Sequence, residues 1–367
     1  MPARYRAEQV GSLLRPAELL QARAAYDQAK ISLHELREKE DQAVTHVFER
    51  QRQIGIDILS DGEMRRGSWL TDMAEAVQGF VPQRIVLDWK GPGGGPEEST
   101  ALAAGTKLKK IRKLTAHELP FAKRHAQGPF KVTVPAPSNF LVASYKAGVT
   151  DEFYPTSDDF LNDLVQIIRD EILWLVSEGV TYIQLDAPFY SHYIDPFVRQ
   201  QIKQAGRDPD IEFARGIEGD TSCLKGIPRN NLTLAVHVCR GNSQSRWYTE
   251  GGYDVIAEKL FSGLDVDTFL LEYDTERSGG FEPLRLVPKN KVVVLGLVTT
   301  KEPQSSSQDE LCRQIDQASR YVPLENLALS PQCGFASVAA GNLISHEDQW
   351  RKLELIVDTA RKVWGKA

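Results

Sequence analysis

The 367-residue sequence carries 50 acidic against 44 Lys and Arg side chains, a net charge of -6, with 41% hydrophobic and 26% charged residues. That is the balance of an ordinary folded protein, and its acidity argues against non-specific binding to nucleic acid or to an anionic membrane surface. Four cysteines in so long a chain are no disulfide framework and read as reduced thiols or metal ligands, which suits a cytoplasmic protein. The N-terminal residues lack the apolar stretch of a secretory signal, and no apolar run approaches the about 20 residues that cross a bilayer.

In chain order, Val10-Gly-Ser-Leu-Leu14 is a short apolar run that predicts a first strand near 9–12. Pro16 then opens a helical pattern over 17–53, rich in Ala, Leu, Glu, Gln and Arg, with Ser32 as the N-cap that divides it into two helices. Ile54-Gly-Ile-Asp-Ile-Leu-Ser60 predicts a strand over 55–60, followed at once by Asp61-Gly62-Glu63. Residues 80–125 are irregular around the loop tip Gly91-Pro-Gly-Gly-Gly-Pro96 and read as an insertion or solvated hairpin. They are no domain boundary, because regular alternation resumes with the strand 130–135.

From there apolar residues at helical spacing (Phe160, Leu161, Leu164, Ile167, Ile168, Ile172, Leu175) predict a helix over 157–177 stopped by Gly179. Strands are expected over 181–186, 232–238, 267–272, 291–296 and 326–331, and helices near 253–262, 307–320 and 346–364. The stretch 192–230 is mixed and yields no element. The eight strands are mostly apolar throughout and separated by helical patterns, as in a buried parallel sheet. The expected architecture is α/β, a (β/α)8 TIM barrel forming one domain over 1–367, with 80–125 inserted after the second strand. A doubly wound open sheet is the alternative, but no G-x-G-x-x-G follows the first strand.

On a strand, His237 and Cys239 share a face because side chains alternate with period two. Alone, such a pair is more often a hydrogen-bonded histidine beside a small buried thiol. The polar residues at the carboxyl ends of the expected strands are Ser12, Glu63, Asp186, His237, Cys239, Glu272, Thr299 and Cys333, and a barrel carries its active site at that end. Imidazole, two thiolates and a carboxylate (His237, Cys239, Cys333 and Glu272) suit zinc by ligand type. Each also has a plainer reading: Cys333 as a small turn residue, Glu272 as a surface partner of Arg277 or Arg285, Glu63 as a helix-dipole charge and Asp186 as an N-cap. Cys223 and Cys312 read as structural. The joint placement at one rim favours a metal.

The segments Arg6-Ala-Glu-Gln-Val-Gly-Ser-Leu-Leu-Arg-Pro16, Gly55-Ile-Asp-Ile-Leu-Ser-Asp-Gly-Glu63, Ile183-Gln-Leu-Asp-Ala-Pro188, His237-Val-Cys239, Leu271-Glu272 and Pro331-Gln-Cys-Gly334 together resemble the catalytic C-terminal barrel of cobalamin-independent methionine synthase. The pattern is most similar to its short single-barrel bacterial homologues of the YxjG/YxjH type, in order and over essentially the whole chain. The resemblance implies zinc-dependent methyl transfer to a thiol, L-homocysteine becoming methionine. It implies His237, Cys239, Glu272 and Cys333 as zinc ligands, Val10, Gly11 and Ser12 as the stretch that holds the homocysteine carboxylate, and Glu63 and Asp186 as acidic groups of the catalytic site that bind the amino group. A free thiol titrates near ~8.5 and is mostly protonated at neutral pH, whereas metal coordination deprotonates it. Glu272, the hardest of the four ligands, is the one expected to yield its place to the substrate sulfur.

Three departures concern the methyl donor rather than the thiol. The second, N-terminal barrel of the full-length enzymes is absent, their Asp-Glu-Pro reads Asp186-Ala187-Pro188, and Thr299-Thr300-Lys301 stands about where they have a histidine. The expected partners are therefore a small thiol and a methyl donor, methyl-folate or another, with no nucleic acid and no membrane. Competing functions are an alkyltransferase acting on a thiol such as coenzyme M, a metal-free lyase resembling uroporphyrinogen decarboxylase, and a structural zinc scaffold. The first sits poorly with two carboxylates facing a sulfonate, the second leaves His237, Cys239 and Cys333 without a task, and the third does not need a carboxylate ligand. The loop 241–252 and the 80–125 insertion are candidate lids.

Overall fold

Eight strands form among residues 5–365, which the computed structural model describes; the reading of the N-terminus falls partly on residues 1–4, outside them. β1 (Val77–Trp89) and β2 (Gly95–Lys110) make a two-stranded antiparallel ribbon. β3 (Val132–Pro135), β4 (Tyr182–Asp186), β5 (Thr233–Val238), β6 (Thr268–Glu272), β7 (Val292–Val298) and β8 (Leu327–Pro331) hydrogen-bond in sequence order into one parallel sheet. Nearly every residue of these six strands is buried, which is why they read as continuous Val, Ile and Leu runs rather than alternating ones. Ile58, Tyr182, Ala235, Leu270, Val294 and Ala328 form a small buried cluster of their own, one residue from each of β4–β8 plus one from the N-terminal region.

The expected strands at 9–12 and 55–60 do not form as ladders. Pairing there is reduced to the single parallel bridges Ala7 with Leu329 and Leu59 with Phe130. Just before the first of these segments, the Asp57 carboxylate accepts from the backbone N–H groups of Arg6 and Ala7 (2.7 and 2.9 Å). The backbone still connects across both segments. Glu8 N donates to Leu329 O (2.9 Å), Asp57 N to Ala7 O (3.0 Å), and Lys131 N to Leu59 O (2.9 Å).

The helices begin where their caps predict. Ser32, Thr156 and Ser345 each close a capping box at the start of helices Leu33–Ile54, Ser157–Ser177 and His346–Trp364. The helix expected near 307–320 spans Gln308–Ser319, and the one near 253–262 is a single 3-10 turn followed by Ala257–Gly263. The stretch 192–230 contains two helices that the sequence pattern did not yield, Pro196–Gln204 and Pro209–Leu224, each capped by the aspartate before its proline. No helix among the described residues is long and apolar enough to cross a membrane.

The ribbon, 77–110, starts three residues before the expected insertion at 80–125 and lies against the loop after β5. Lys90 and Trp247 exchange backbone hydrogen bonds (2.8 and 3.2 Å). Lys90 Nζ reaches Asp195 (2.7 Å), and Arg246 pairs with Glu97.

Candidate active site

Parallel register brings the polar ends of the strands to one level, with Asp186 of β4 beside His237 of β5. Cys239 follows one residue beyond β5, and Cys333 lies in the turn after β8. Their sulfurs are 3.7 Å apart, and the ligand atoms of His237, Cys239 and Cys333 all lie within 4.8 Å of one another. The three side chains are buried, and neither ring nitrogen of His237 has a hydrogen-bond partner. An unsatisfied buried polar group costs about 1–3 kcal/mol. Two buried sulfurs beside an imidazole with both nitrogens unpaired form a donor set that fits a tetrahedral, borderline-soft metal ion.

The three groups shift one another's titration in opposite directions. The hydrogen bond with Cys239, together with His237 and Lys301, holds the Cys333 thiol well below its ordinary value against the opposing effect of burial. Cys239 is pushed well up by that same bond and by burial. Burial works against a charged His237, yet Cys333, Asp186 and Glu272 outweigh it and raise its pKa.

Glu272 stands at the end of β6, fully buried, but its carboxylate is not part of the three-residue cluster. Oε2 accepts from the backbone N–H of Arg240 (2.8 Å) and Oε1 from Arg277 Nε (3.0 Å). The pairing with Arg277 is thus buried, not on the surface. Arg277 also grips Asp274 with Nη2 (2.7 and 2.9 Å) and lies over the Trp247 ring. Thr299, Lys301, Arg277, Trp247 and Pro92 of the ribbon tip line a cavity of about 230 Å³. Lys301 Nζ donates to Gly241 O (3.0 Å) and Asn242 Oδ1 (2.9 Å), fixing the chain just past Cys239.

The remaining predicted residues meet on the N-terminal side. Ser12 Oγ accepts from Ala336 N (3.3 Å), and Ser12 O accepts from Phe335 N (2.8 Å), so the segment lies directly against the turn that carries Cys333. Gly11 O accepts from Ser60 Oγ (2.7 Å), and Val10 O accepts from Gln184 Nε2 (2.9 Å). Glu63 adopts a left-handed backbone (φ +54°), and Thr133 Oγ1 donates to its Oε1 (3.3 Å). Arg15 locks this turn by donating to Glu63 O (2.9 Å), Arg66 O (2.8 Å) and Ala336 O (2.8 Å). Asp186 Oδ1 accepts from Gln184 Nε2 (2.7 Å). Burial pushes the Asp186 carboxyl up to about 7, Glu63 adding to the shift and His237 opposing it. Cys223 is buried away from the cluster, its Sγ donating to Asp220 O, and Cys312 is partly exposed.

Arg15, Arg277 and Lys301 were in view in the sequence only as neighbours of predicted residues. Gln184 entered only as part of the matched segment Ile183–Pro188, and Lys131 and Thr133 had no signal beyond being polar residues in an apolar strand.

Residues 6–362 match the model of the cobalamin-independent synthase catalytic domain. The chain belongs to the cobalamin-independent methionine synthase family. It is, accordingly, a methyltransferase of the cobalamin-independent type. YxjG of Bacillus subtilis strain 168 is 36% identical to it over 372 residues, covering 98% of this chain and 95% of that protein. The methionine synthase of Pyrococcus horikoshii is 26% identical, covering 89% and 84% of the two chains. A crystal structure from Listeria monocytogenes, described as a "putative vitamin-B12 independent methionine synthase", matches over the whole of both chains with a TM-score of 0.77 at 27% identity.

Proposed function

We propose that this protein is a zinc-dependent thiol methyltransferase whose acceptor is L-homocysteine and whose product is methionine. The observation that carries the reading is the buried His237–Cys239–Cys333 trio with its unpartnered imidazole, set against the Ser12, Glu63 and Asp186 side chains. Bound to these three residues, zinc would keep a substrate thiol as a nucleophilic thiolate at neutral pH. Glu272 would be the fourth ligand in this reading, and Arg277 and the Arg240 N–H would hold its carboxylate whenever it is off the metal.

Glu63 and Asp186 bind the substrate ammonium, which places the acidic groups where a cationic amine compensates them. Ser12 Oγ and the backbone N–H groups of the Val10–Ser12 stretch take the carboxylate. The two carboxylates are the reason to prefer an amino-acid thiol over a sulfonated one such as coenzyme M. Burial of the trio keeps water from competing for the metal-bound position. The methyl donor, methyl-folate or another, enters from the cavity bounded by Trp247, Arg277, Lys301 and the ribbon tip. The whole chain is one catalytic domain in this reading, with the segments around Ala7 and Leu59 completing a (β/α)8 barrel between β8 and β3. Two reduced thiolate ligands suit the cytoplasm.

Metal analysis tests the assignment. The purified protein should carry about one zinc per chain, and Cys333→Ser should lose most of it. Retention of a full equivalent by that variant would remove the site as proposed.

A further inference from the structure

Below Asp186, a line of polar side chains continues into the buried end of the sheet, and nothing in the proposed chemistry uses it. Tyr182 Oη donates to Glu8 Oε2 (2.9 Å), and Lys131 Nζ reaches the same oxygen (3.4 Å) and donates to Gln184 Oε1 (2.9 Å). Gln184 Nε2 donates in turn to Val10 O (2.9 Å) and Asp186 Oδ1 (2.7 Å). Glu8, Lys131, Tyr182 and Gln184 are each at most 4% exposed. A buried ion pair of this kind is no strong source of stability, because desolvation offsets its attraction.

The two ends of a glutamine amide have nearly the same shape, so packing alone does not orient it. Here the neighbours decide. An ammonium group has only protons to give, so Lys131 must face the amide oxygen. A main-chain carbonyl and a carboxylate offer only lone pairs, so Val10 and Asp186 must face the amide nitrogen, and between them they use both its hydrogens. Glu8 and Tyr182 hold Lys131 in place. The amide therefore ties one oxygen from the N-terminal segment and one from β4 to a single planar group.

We infer that Gln184, oriented by the Lys131–Glu8 pair, is a positioning residue for the amino group of the substrate, setting the Asp186 carboxylate and the Val10 carbonyl at the spacing that group requires. The inference rests on the reading of Asp186 as part of the amine site. Each of the two acceptors keeps further lone pairs for an ammonium ion after bonding Gln184. A glutamine that turned over would present its oxygen to both and repel them.

The test compares two ligands on the purified holoprotein by calorimetry: L-homocysteine, and 4-mercaptobutanoate, the same thiol acid without the amino group. The wild-type protein should prefer L-homocysteine. Gln184→Met fills similar space without an amide and should lose about tenfold or more of that preference, with the affinity for 4-mercaptobutanoate nearly unchanged. The double variant Lys131→Met/Glu8→Gln leaves no unpaired buried charge and should lose preference in the same direction. If Gln184→Met or the double variant keeps the wild-type preference, or weakens both ligands equally, the positioning role is overturned. Should the wild-type protein itself show no preference, the amine-site reading of Asp186 fails, a result distinct from the failure of Gln184.

Discussion

Gly11 and Gly334 set the distance between the halves of the candidate site. A Cβ on Gly11 would stand 2.5 Å from Glu63 Oε1, and one on Gly334 would stand 2.0 Å from Ser12 Oγ. Neither contact is physically possible, so an alanine must push a polar group aside. In Gly11→Ala the displaced atom is the end of a side chain, and the fold can survive. The Glu63 carboxylate, however, is buried and held by Thr133, and it would leave the position proposed for the substrate amine. Gly11→Ala should therefore raise KM for L-homocysteine by about tenfold, equivalent to about 1.4 kcal/mol, while zinc content stays at the wild-type level. Steady-state kinetics with parallel metal analysis checks this.

The His237, Cys239 and Cys333 cluster was legible in the sequence because its chemistry is written in the residue types and the strand rhythm placed them at one rim. The position of the Glu272 carboxylate was not, since a strand end gives a residue's height but not its torsion angles, and Arg277 supplies the competing partner. The orientation of Gln184 was invisible for a related reason. It depends on Lys131, 53 residues away in sequence.

Among the elements, helices with apolar stripes and capping boxes were legible almost to the residue. Pro196–Gln204 was not, although Asp195-Pro196 is a helix start by both its cap and its proline. None of its residues is buried, and its apolar residues Phe197, Val198 and Ile202 are too few over nine residues to stand out from a mixed stretch. The first two strands were placed from apolar runs, which carry no pairing register, and only the single bridges at Ala7 and Leu59 form.

Helix Pro209–Leu224 carries a further buried group. Asp220 accepts from Ser138 N (2.8 Å), Ser138 Oγ (2.7 Å) and Tyr190 Oη, joining that helix to the start of helix Pro137–Ala143 and to the segment after β4. Burial raises its carboxyl from 3.8 to about 6, against the pull of these hydrogen bonds. A raised folded-state value means that the native protein binds the extra proton between pH 4 and 6. The stability Asp220 contributes is therefore fully present below about 4 and is lost as pH rises through about 6. Relative to Asp220→Asn, the wild-type protein should lose on the order of 3 kcal/mol across that window. Denaturant titrations of both proteins at several pH values measure it, and parallel stability curves would contradict the assignment.

At the scale of the whole molecule, the eightfold alternation of apolar runs and helical patterns was enough to anticipate an α/β protein with a parallel sheet. Periodicity carries that information directly. The ribbon β1–β2 was legible as a solvated hairpin around its Gly-Pro tip, but its strand bounds and its docking against the loop after β5, which is remote in sequence, were not. That docking gives the site an enclosing side: Pro92 at the ribbon tip and Trp247 in the loop line the same cavity as Arg277 and Lys301. One side of the site carries Ser12, Glu63 and Asp186, the His237–Cys239–Cys333 trio lies beside Asp186, and the cavity adjoins both Arg277 and Lys301.

The claim that joins these parts is that a substrate thiol enters the metal shell. X-ray absorption at the zinc edge, recorded on the purified protein before and after addition of L-homocysteine, tests it most directly. The account predicts one additional sulfur ligand, accompanied by release of a proton to solution. An unchanged shell at saturating L-homocysteine would contradict it.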